Sequence, residues 1–545
     1  MASVGEFDYI IVGSGSAGSV LADRLSGEGH ASVLVLEAGG SDRRFWIKVP
    51  IGYGRTFYDE RVNWKYTTEP DPATKQRRSY WPRGRVIGGS SSINAMVYCR
   101  GLPVDFDGWH QLGNPGWGWS DVKPYYERIE HRVDAQGNAQ SGGALYVSDV
   151  SAELHPLRRH FFAAAEELGL PFTSDFNGPN PEGVGSYHIN TRDGVRCSAA
   201  DAFLRPALRR SNVRLMTHAL ARRVIFEGRR ATGIEFEHNG QRVTARARRE
   251  VILSAGAINS PQLLQLSGVG PADLLQRLGI PVVLDQPLVG GQLQDHLGIN
   301  YFYRSSEPTL NNQLAPLHGK LLAGMRYLLT RRGPLSVSVN QSGGFVRADE
   351  HSDAPDMQLY FNPVTYSTAP EGKRPLMNPD PFPGFIISFQ PCRPLSRGRI
   401  DIRSANPRET PVIRPNYLSE EEDIRGVIAG GRLIQRLMRT QALRRLAREA
   451  IPPDLDRMDD EQILDDFRER CGSVFHPVGT CGMGPDPRRS VVDGRLRVHG
   501  LQGLRVVDAS IFPTITSGNT NAPTIMVAQK AADLILADHK QKVSA

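Results

Sequence analysis

The sequence predicts an α/β, Rossmann-like nucleotide-binding domain joined to a second, α+β domain built on an antiparallel sheet. Three observations carry this. Residues Asp8–Gly39 run strand, glycine turn, helix, strand and acid in one compact unit. A second buried strand, Glu250–Gly256 (EVILSAG), returns far downstream and again ends in small residues. Between about 297 and 470 the texture changes to antiparallel-type strand runs mixed with helices. At 545 residues the chain also exceeds what one simple core supports.

The first unit begins with Tyr9–Val12, an apolar run rich in branched residues that reads as a buried strand. Gly13, Gly15 and Gly18 follow in GxGxxG spacing, with Ser14, Ser16 and Ala17 between them. Gly13 permits the turn, Gly15 clears room for a pyrophosphate, and Gly18 lets helix and strand approach. The pyrophosphate is expected at the helix N-terminus, where open N–H groups and the dipole favour negative charge. The next strand, Val33–Leu36, leads into Glu37 and Ala38. Glu37 is placed to accept from a ribose 2′-hydroxyl, which a 2′-phosphate would repel. The motif alone admits NAD or FAD. Its N-terminal position and the Glu-Ala-Gly-Gly that follows lean to FAD.

An irregular stretch comes next, containing Trp64 and then Trp81–Gly101, whose centre is GGSSSIN at Gly88–Asn94. Glycines and serines leave that backbone open and rich in donors, while apolar residues bound it. It suits a loop held against a large flat ring. Trp109, Trp117 and Trp119 read as packing residues. Helices are expected at Pro124–Arg132, with Pro in its first turn, at His155–Gly169 and at Ser198–Arg210. Val213–Met216, Arg223–Phe226, Gly233–Glu237 and Gln241–Ala245 read as a β-meander inserted in the first domain. Ala257–Gly270 reads as a helix opening with Pro261.

In the second domain, strands are expected at Gly298–Arg304, Met357–Phe361, Gly384–Gln390 and Gly398–Ile402. Helices are expected at His318–Thr330, Glu420–Met438, Gln441–Ala450 and Asp459–Cys471, and a mobile loop at Pro363–Pro383. Near the C-terminus two segments stand apart, Val474–Gly484 (VFHPVGTCGMG) and Leu504–Ile525. His476 is held extended by Pro477, with small residues around it that let the ring enter a cavity. A last helix is expected at Pro523–Ala537.

Composition narrows the function. The net charge of +7 carries no nucleic-acid recognition motif, so no nucleic-acid partner is expected. Peripheral contact with an anionic membrane is within its reach. No apolar run is long enough to span a bilayer and the N-terminus lacks a signal pattern. The five cysteines form no CxxC and read as reduced packing residues, which suits a cytoplasmic protein or one on the cytoplasmic side of a membrane. No cluster of His and carboxylates suggests a metal, and no GxSxG elbow suggests a serine hydrolase.

These motifs together resemble the glucose–methanol–choline (GMC) flavoprotein oxidoreductases. The likeness runs through GSGSAG with Glu37, WPRGRVIGGSSSIN (Trp81–Asn94), GAINSPQLLQLSGVG (Gly256–Gly270), LQDH (Leu293–His296), HPVGTCGMG (His476–Gly484) and VVDASIFPTITSGNTNAPTIM (Val506–Met526). The texture is similar to bacterial primary-alcohol and choline dehydrogenases. The resemblance implies an FAD-binding Rossmann-like domain of GMC type with a discontinuous substrate-binding domain. The expected division is 1–155, 192–296 and 471–545 for FAD, and 156–191 and 297–470 for substrate. It implies non-covalent FAD, since Ile93 stands where some members attach the flavin through a His. Asn94, Ala95, Met96 and Val97 are implied to line the flavin ring, and Ala221 the adenine side. Asp508 and Ala509 are implied near the ribityl or ring end. Further cofactor contacts are expected from Trp64, Arg85, Val86, Gly89, Ser90, Ala255, Gly256, Asn519, Thr520 and Asn521. The implied catalytic pair is His476 as general base and Asn519 as the group that holds the alcohol oxygen. The implied reaction oxidises a primary alcohol to an aldehyde and passes electrons to a quinone, a dye or oxygen. The alternative is choline oxidation, which calls on an aromatic or carboxylate pocket for the quaternary ammonium. Tyr360, Phe361 and Tyr366 are candidates for it.

Overall fold

The computed structural model describes residues 2–367 and 378–544, with side chains described as far as 540. Residues 368–377, the middle of the expected Pro363–Pro383 loop, lie outside the described residues. In chain order the chain forms strand β1 (Ala2–Val12), helix α1 (Ser16–Ser26) and strand β2 (Val33–Leu36), then a long stretch that includes the helices Pro103–Gln111 and Trp119–Ile129, and after it helix α2 (Arg158–Glu167) and strand β3 (Gly183–Ser186). Strands β4 (Val213–Met216), β5 (Ala219–Glu227), β6 (Arg230–His238) and β7 (Gln241–Leu253) lead to helix α3 (Gly256–Leu266). Strand β8 (Leu297–Ser305), helix α4 (Leu317–Thr330) and strands β9 (Ser342–Val346), β10 (Met357–Asn362) and β11 (Gly384–Pro391) follow. Helix α5 (Glu421–Met438), strand β12 (Ala447–Ile451), helix α6 (Asp460–Arg470), strand β13 (Leu504–Val506) and helix α7 (Asn521–Ser544) complete the series.

Two sheets organise these elements. The first runs β4–β2–β1–β7–β6–β5, with β13 beside the end of β7. Its β4, β2, β1, β7 and β13 pairings are parallel, while β5, β6 and the start of β7 form an antiparallel meander. The last strand of the expected meander, Gln241–Ala245, and the strand expected at Glu250–Gly256 are thus one element, Gln241–Leu253. β7 pairs with β6 through Arg246 and with β13 from Val251 onward. Val213–Met216 is not part of the meander, because it lies parallel to β2 at the sheet's edge. The second sheet is antiparallel throughout, in the order β12–β8–β11–β10–β9–β3. Each sheet has its own large core, one centred on β1, β2 and β7 and the other on β8, β10 and β11.

Several local expectations shift. Pro124 sits inside the helix Trp119–Ile129, not in its first turn, and Pro261 sits inside α3. Ser198–Arg210 contains a five-residue π-helix, Ala200–Leu204, before one α turn. Gln441–Ala450 is helical only to Leu446, where β12 pairing takes over. Strand Arg399–Asp401 pairs with Val412–Arg414 as a separate hairpin. Strands β3 and β9 went unread because Gly183, Gly185, Gly343 and Gly344 dilute their apolar alternation. All five cysteines are buried and unpaired. Among the described residues no helix is long and apolar enough to cross a membrane, and no group of side chains could hold a metal.

Candidate active site

A cavity of about 1300 Å³ runs from the β1–α1 turn to the second sheet. That exceeds the roughly 300–1,000 Å³ of a drug-sized pocket, so it has room for a dinucleotide and a small second molecule.

The turn end is built for close approach. A Cβ on Gly18 would lie 1.9 Å from the Gly13 carbonyl oxygen, so only glycine lets α1 lie this near β1. A Cβ on Gly15 would meet nothing closer than Gly89 Cα at 3.8 Å, so the missing side chain there leaves open space, as a bound pyrophosphate requires. α1 starts at Ser16 without a side-chain cap, and Ser16 and Ala17 line the cavity. Glu37 accepts from the Ser14 N–H and hydroxyl on Oε2 and from the Gly39 N–H on Oε1. That uses three of about four acceptor positions and leaves capacity toward the cavity it lines. Burial pushes its pKa up against those bonds. These features fit the adenosine and pyrophosphate of a dinucleotide.

The wall from Asn94 to Val97 lines the middle of the cavity. Asn94 Oδ1 accepts from the Met96 N–H and from Arg196 Nη1. Met96 adopts φ +64°, a left-handed conformation uncommon outside glycine. Arg196 is fully enclosed, and burial lowers its pKa to about 9. Ile93 is buried against Ile47, Val62 and Val86.

At the far end His476 and Asn519 meet, with Asn519 Nδ2 3.1 Å from His476 Nε2. Behind them lies His296. Its Nε2 is 2.7 Å from the Cys392 carbonyl oxygen, which only accepts, so Nε2 carries the proton. Burial lowers the His296 pKa to about 4, so the ring is neutral and its Nδ1 is an acceptor. His476 Nδ1, 3.0 Å away, must therefore donate to it. One proton remains on His476, on the inner nitrogen, and Nε2 presents a lone pair to Asn519 and the cavity. Burial, then His296 and Arg83, hold the His476 pKa well below its ordinary value. Its backbone is pinned by Asp295 Oδ1, which accepts the His476 N–H, and the preceding Phe475 is also left-handed, at φ +71°. Asn519 Oδ1 is buried with no hydrogen-bond partner.

Most of the residues expected from sequence border this cavity, but four do not. Ser14 is buried behind Glu37, and Gly18 and Val86 are packed away from the wall. Arg85 lies over Trp64 and donates to the Glu60 carbonyl. Asp508 reaches the wall, but its carboxylate is committed to the Gly256 N–H, the Ser260 hydroxyl and the Ser510 N–H. Tyr360 and Tyr366 line the cavity, whereas Phe361, one residue on in β10, points to the other face and stacks on Phe161. Sequence reasoning missed the parts played by His296, Arg83 and Arg196. The LQDH motif marks His296, but its ring acts on a residue 180 positions later.

The GMC oxidoreductase family models match residues 7–298 with the N-terminal half and 394–528 with the C-terminal half. The chain belongs to the GMC oxidoreductase family. Two GMC relatives are similar along nearly their whole length. The "Alcohol dehydrogenase [acceptor]" of Pseudomonas putida is 42% identical, covering 97% of this chain and 96% of that protein. The "Oxygen-dependent choline dehydrogenase" of Vibrio vulnificus is also 42% identical, covering 98% and 95%. Among solved GMC folds, pyridoxine 4-oxidase from "Mesorbium loti" superposes with a TM-score of 0.85 at 31% identity, covering 96% of this chain and 98% of that one. The dinucleotide that this GMC cradle holds is FAD.

Proposed function

We propose that this enzyme oxidises an uncharged primary alcohol to an aldehyde, with His476 as the general base and Asn519 as the group that holds the alcohol oxygen. The observation that carries the reading is the hydrogen-bond chain Cys392–His296–His476–Asn519, which leaves a lone pair on His476 Nε2 inside the cavity. An alcohol carbon releases hydride readily only as its hydroxyl proton departs. His476 Nε2 takes that proton, while the inner N–H shares the charge with His296. Asn519 donates to the alcohol oxygen through its amide nitrogen and keeps that oxygen beside Nε2. Bound FAD supplies the acceptor for the hydride. FAD is held non-covalently, because the buried Ile93 offers no atom for a bond. The division of labour we propose assigns 1–155, 192–296 and 471–545 to FAD and 156–191 and 297–470 to substrate. Sheet membership supports it, since every strand of the first sheet falls in the first set and every main strand of the second sheet in the other.

Relatives named for choline give weight to a second reading, and Tyr53, Phe57, Tyr360 and Phe475 supply aromatic wall for it. The carboxylates favour the first. Among the described residues the acids on the cavity wall are Glu37, Asp380, Glu469 and Asp508. Glu37 and Asp508 are spent at the dinucleotide end, Glu469 pairs with Lys75, and Asp380 accepts from Ser367. None is bonded to the His476–Asn519 pair.

Anaerobic flavin bleaching tests the choice. Uncharged primary alcohols should bleach the yellow protein and choline should not. His476→Ala should keep its FAD and bleach roughly 10²–10⁴-fold more slowly. Bleaching by choline alone, or an unimpaired His476→Ala, would overturn the proposal. Admitting air afterwards separates oxygen from other acceptors by the speed at which the colour returns.

A further inference from the structure

Helix α4 carries a surface that the chemistry does not use. Leu317, Leu321, Leu322, Met325, Leu328 and Leu329 are all more than half exposed, and Leu329 reaches 85%. At 3.6 residues per turn these six fall within an arc of roughly 140°. Ala323 and Tyr327, on the opposite side, are buried. The helix therefore has two apolar faces, and only the inner one is covered. Scattered exposed apolar residues are ordinary, but five leucines and a methionine on one helix face mark a contact surface.

Charge identifies the occupant. Residues 308–348 contain no Asp or Glu. Lys320 and Arg326 stand on the two flanks of the apolar arc, and Arg331 and Arg332 follow its end. Arg326 and Arg332 share one partner, Glu153, and Arg331 lies over the Tyr327 ring. An apolar stripe bordered by cations is the pattern of a helix lying in the headgroup region of an anionic bilayer. A second copy of the chain fits less well. A twofold contact would set one basic border against the other, with no acid on this stretch to meet it.

The inner face adds position. Ala323 packs in a cluster with Tyr53 and Val339, against Phe57 and Ala95, and these four residues line the cavity. The helix is a roof over the substrate end, with its outer side facing away from the enzyme.

We propose that α4 is an interfacial helix that docks this enzyme on an anionic membrane surface with the cavity turned toward the bilayer. This rests on surface chemistry and stands whichever alcohol the enzyme takes. The test is co-sedimentation of the FAD-loaded protein with vesicles. It should pellet with vesicles containing phosphatidylglycerol and much less with pure phosphatidylcholine, and high salt should weaken the binding. Lys320→Gln and Arg331→Gln should each weaken it about fivefold. Replacing Leu321, Met325, Leu328 and Leu329 with Ser should abolish it, with flavin absorbance and turnover of a short, water-soluble alcohol unchanged. Should that variant lose its FAD, Leu329→Cys serves instead. The native cysteines are buried, so a polarity-sensitive dye reports position 329 alone, and its emission should rise on adding anionic vesicles. Wild-type protein that stays in the supernatant with both vesicle types, or a dye that does not respond, would overturn the proposal. So would a concentration-dependent dimer that the serine variant abolishes.

Discussion

At the scale of the residue, the decisive group is one that never meets substrate. His296 sets which nitrogen of His476 is bare. His296→Ala should slow flavin reduction by at least roughly tenfold, because His476 can then carry its proton on Nε2. His296→Gln should recover much of the rate. Its amide oxygen can accept from His476 Nδ1 and its nitrogen can donate to Cys392. Rapid-mixing reduction rates on the three proteins check this, and equal rates would count against the tautomer argument. The same ring has a pH signature. Folded His296 protonates near 4 and an unfolded His near 6.5. Between those values the unfolded chain binds more protons, so stability falls as pH falls through this window, by about 3 kcal/mol in all. Urea titrations from pH 7 to 4 should show that loss, and His296→Gln should show less of it. The acid limb of activity should lie below 6.5, since His476 is held low as well.

At the scale of the element, β1 from Tyr9 onward, α1 and β2 were legible in the sequence, because the demands on them there are local, whereas the polar start of β1, Ala2–Asp8, was not, since it is a strand only through its pairing with β7. Periodicity defines the strands, and the glycines answer to neighbours within a few residues. Two substitutions separate the two duties of those glycines. Gly18→Ala drives a Cβ into the Gly13 carbonyl and should lower the melting temperature and lose FAD together. Gly15 has φ −70°, so alanine is unstrained there and its Cβ has room. Gly15→Ala should melt as the apoprotein does and yet hold FAD weakly. Thermal scans and flavin absorbance on both proteins check the pair. Elements with non-local demands were harder to read. Pro124 and Pro261 are good helix openers by local rules, yet tertiary packing extends both helices upstream of them. Residues 447–450 look helical in isolation, but β8 recruits them as an edge strand.

At the scale of the whole molecule, the antiparallel sheet should govern which alcohol is taken and leave FAD retention alone. Tyr366→Ala enlarges the cavity from the second sheet's side and should move the ratio of kcat/KM between long and short alcohols about tenfold. Flavin content should not change, and a loss of FAD without a change of preference would contradict the division. His476 and Asn519 were legible through their motifs. Arg83, Arg196 and His296 were not assigned, since a lone Arg or His in sequence does not announce a buried partner far along the chain. The first sheet has one more consequence. Strand β13 pairs with β7, and α7 lies on α1, tied by Ser16 to Asn521 and by Arg24 to Asp533. On the ribosome, the residues that begin the FAD cradle emerge some five hundred positions before those that close it. The nascent chain must wait with the end of β7 unpaired and α1 uncovered, a state that invites chaperones. Cofactor capture is therefore a late event in the birth of this enzyme, completed after synthesis of the residues that shut its first domain.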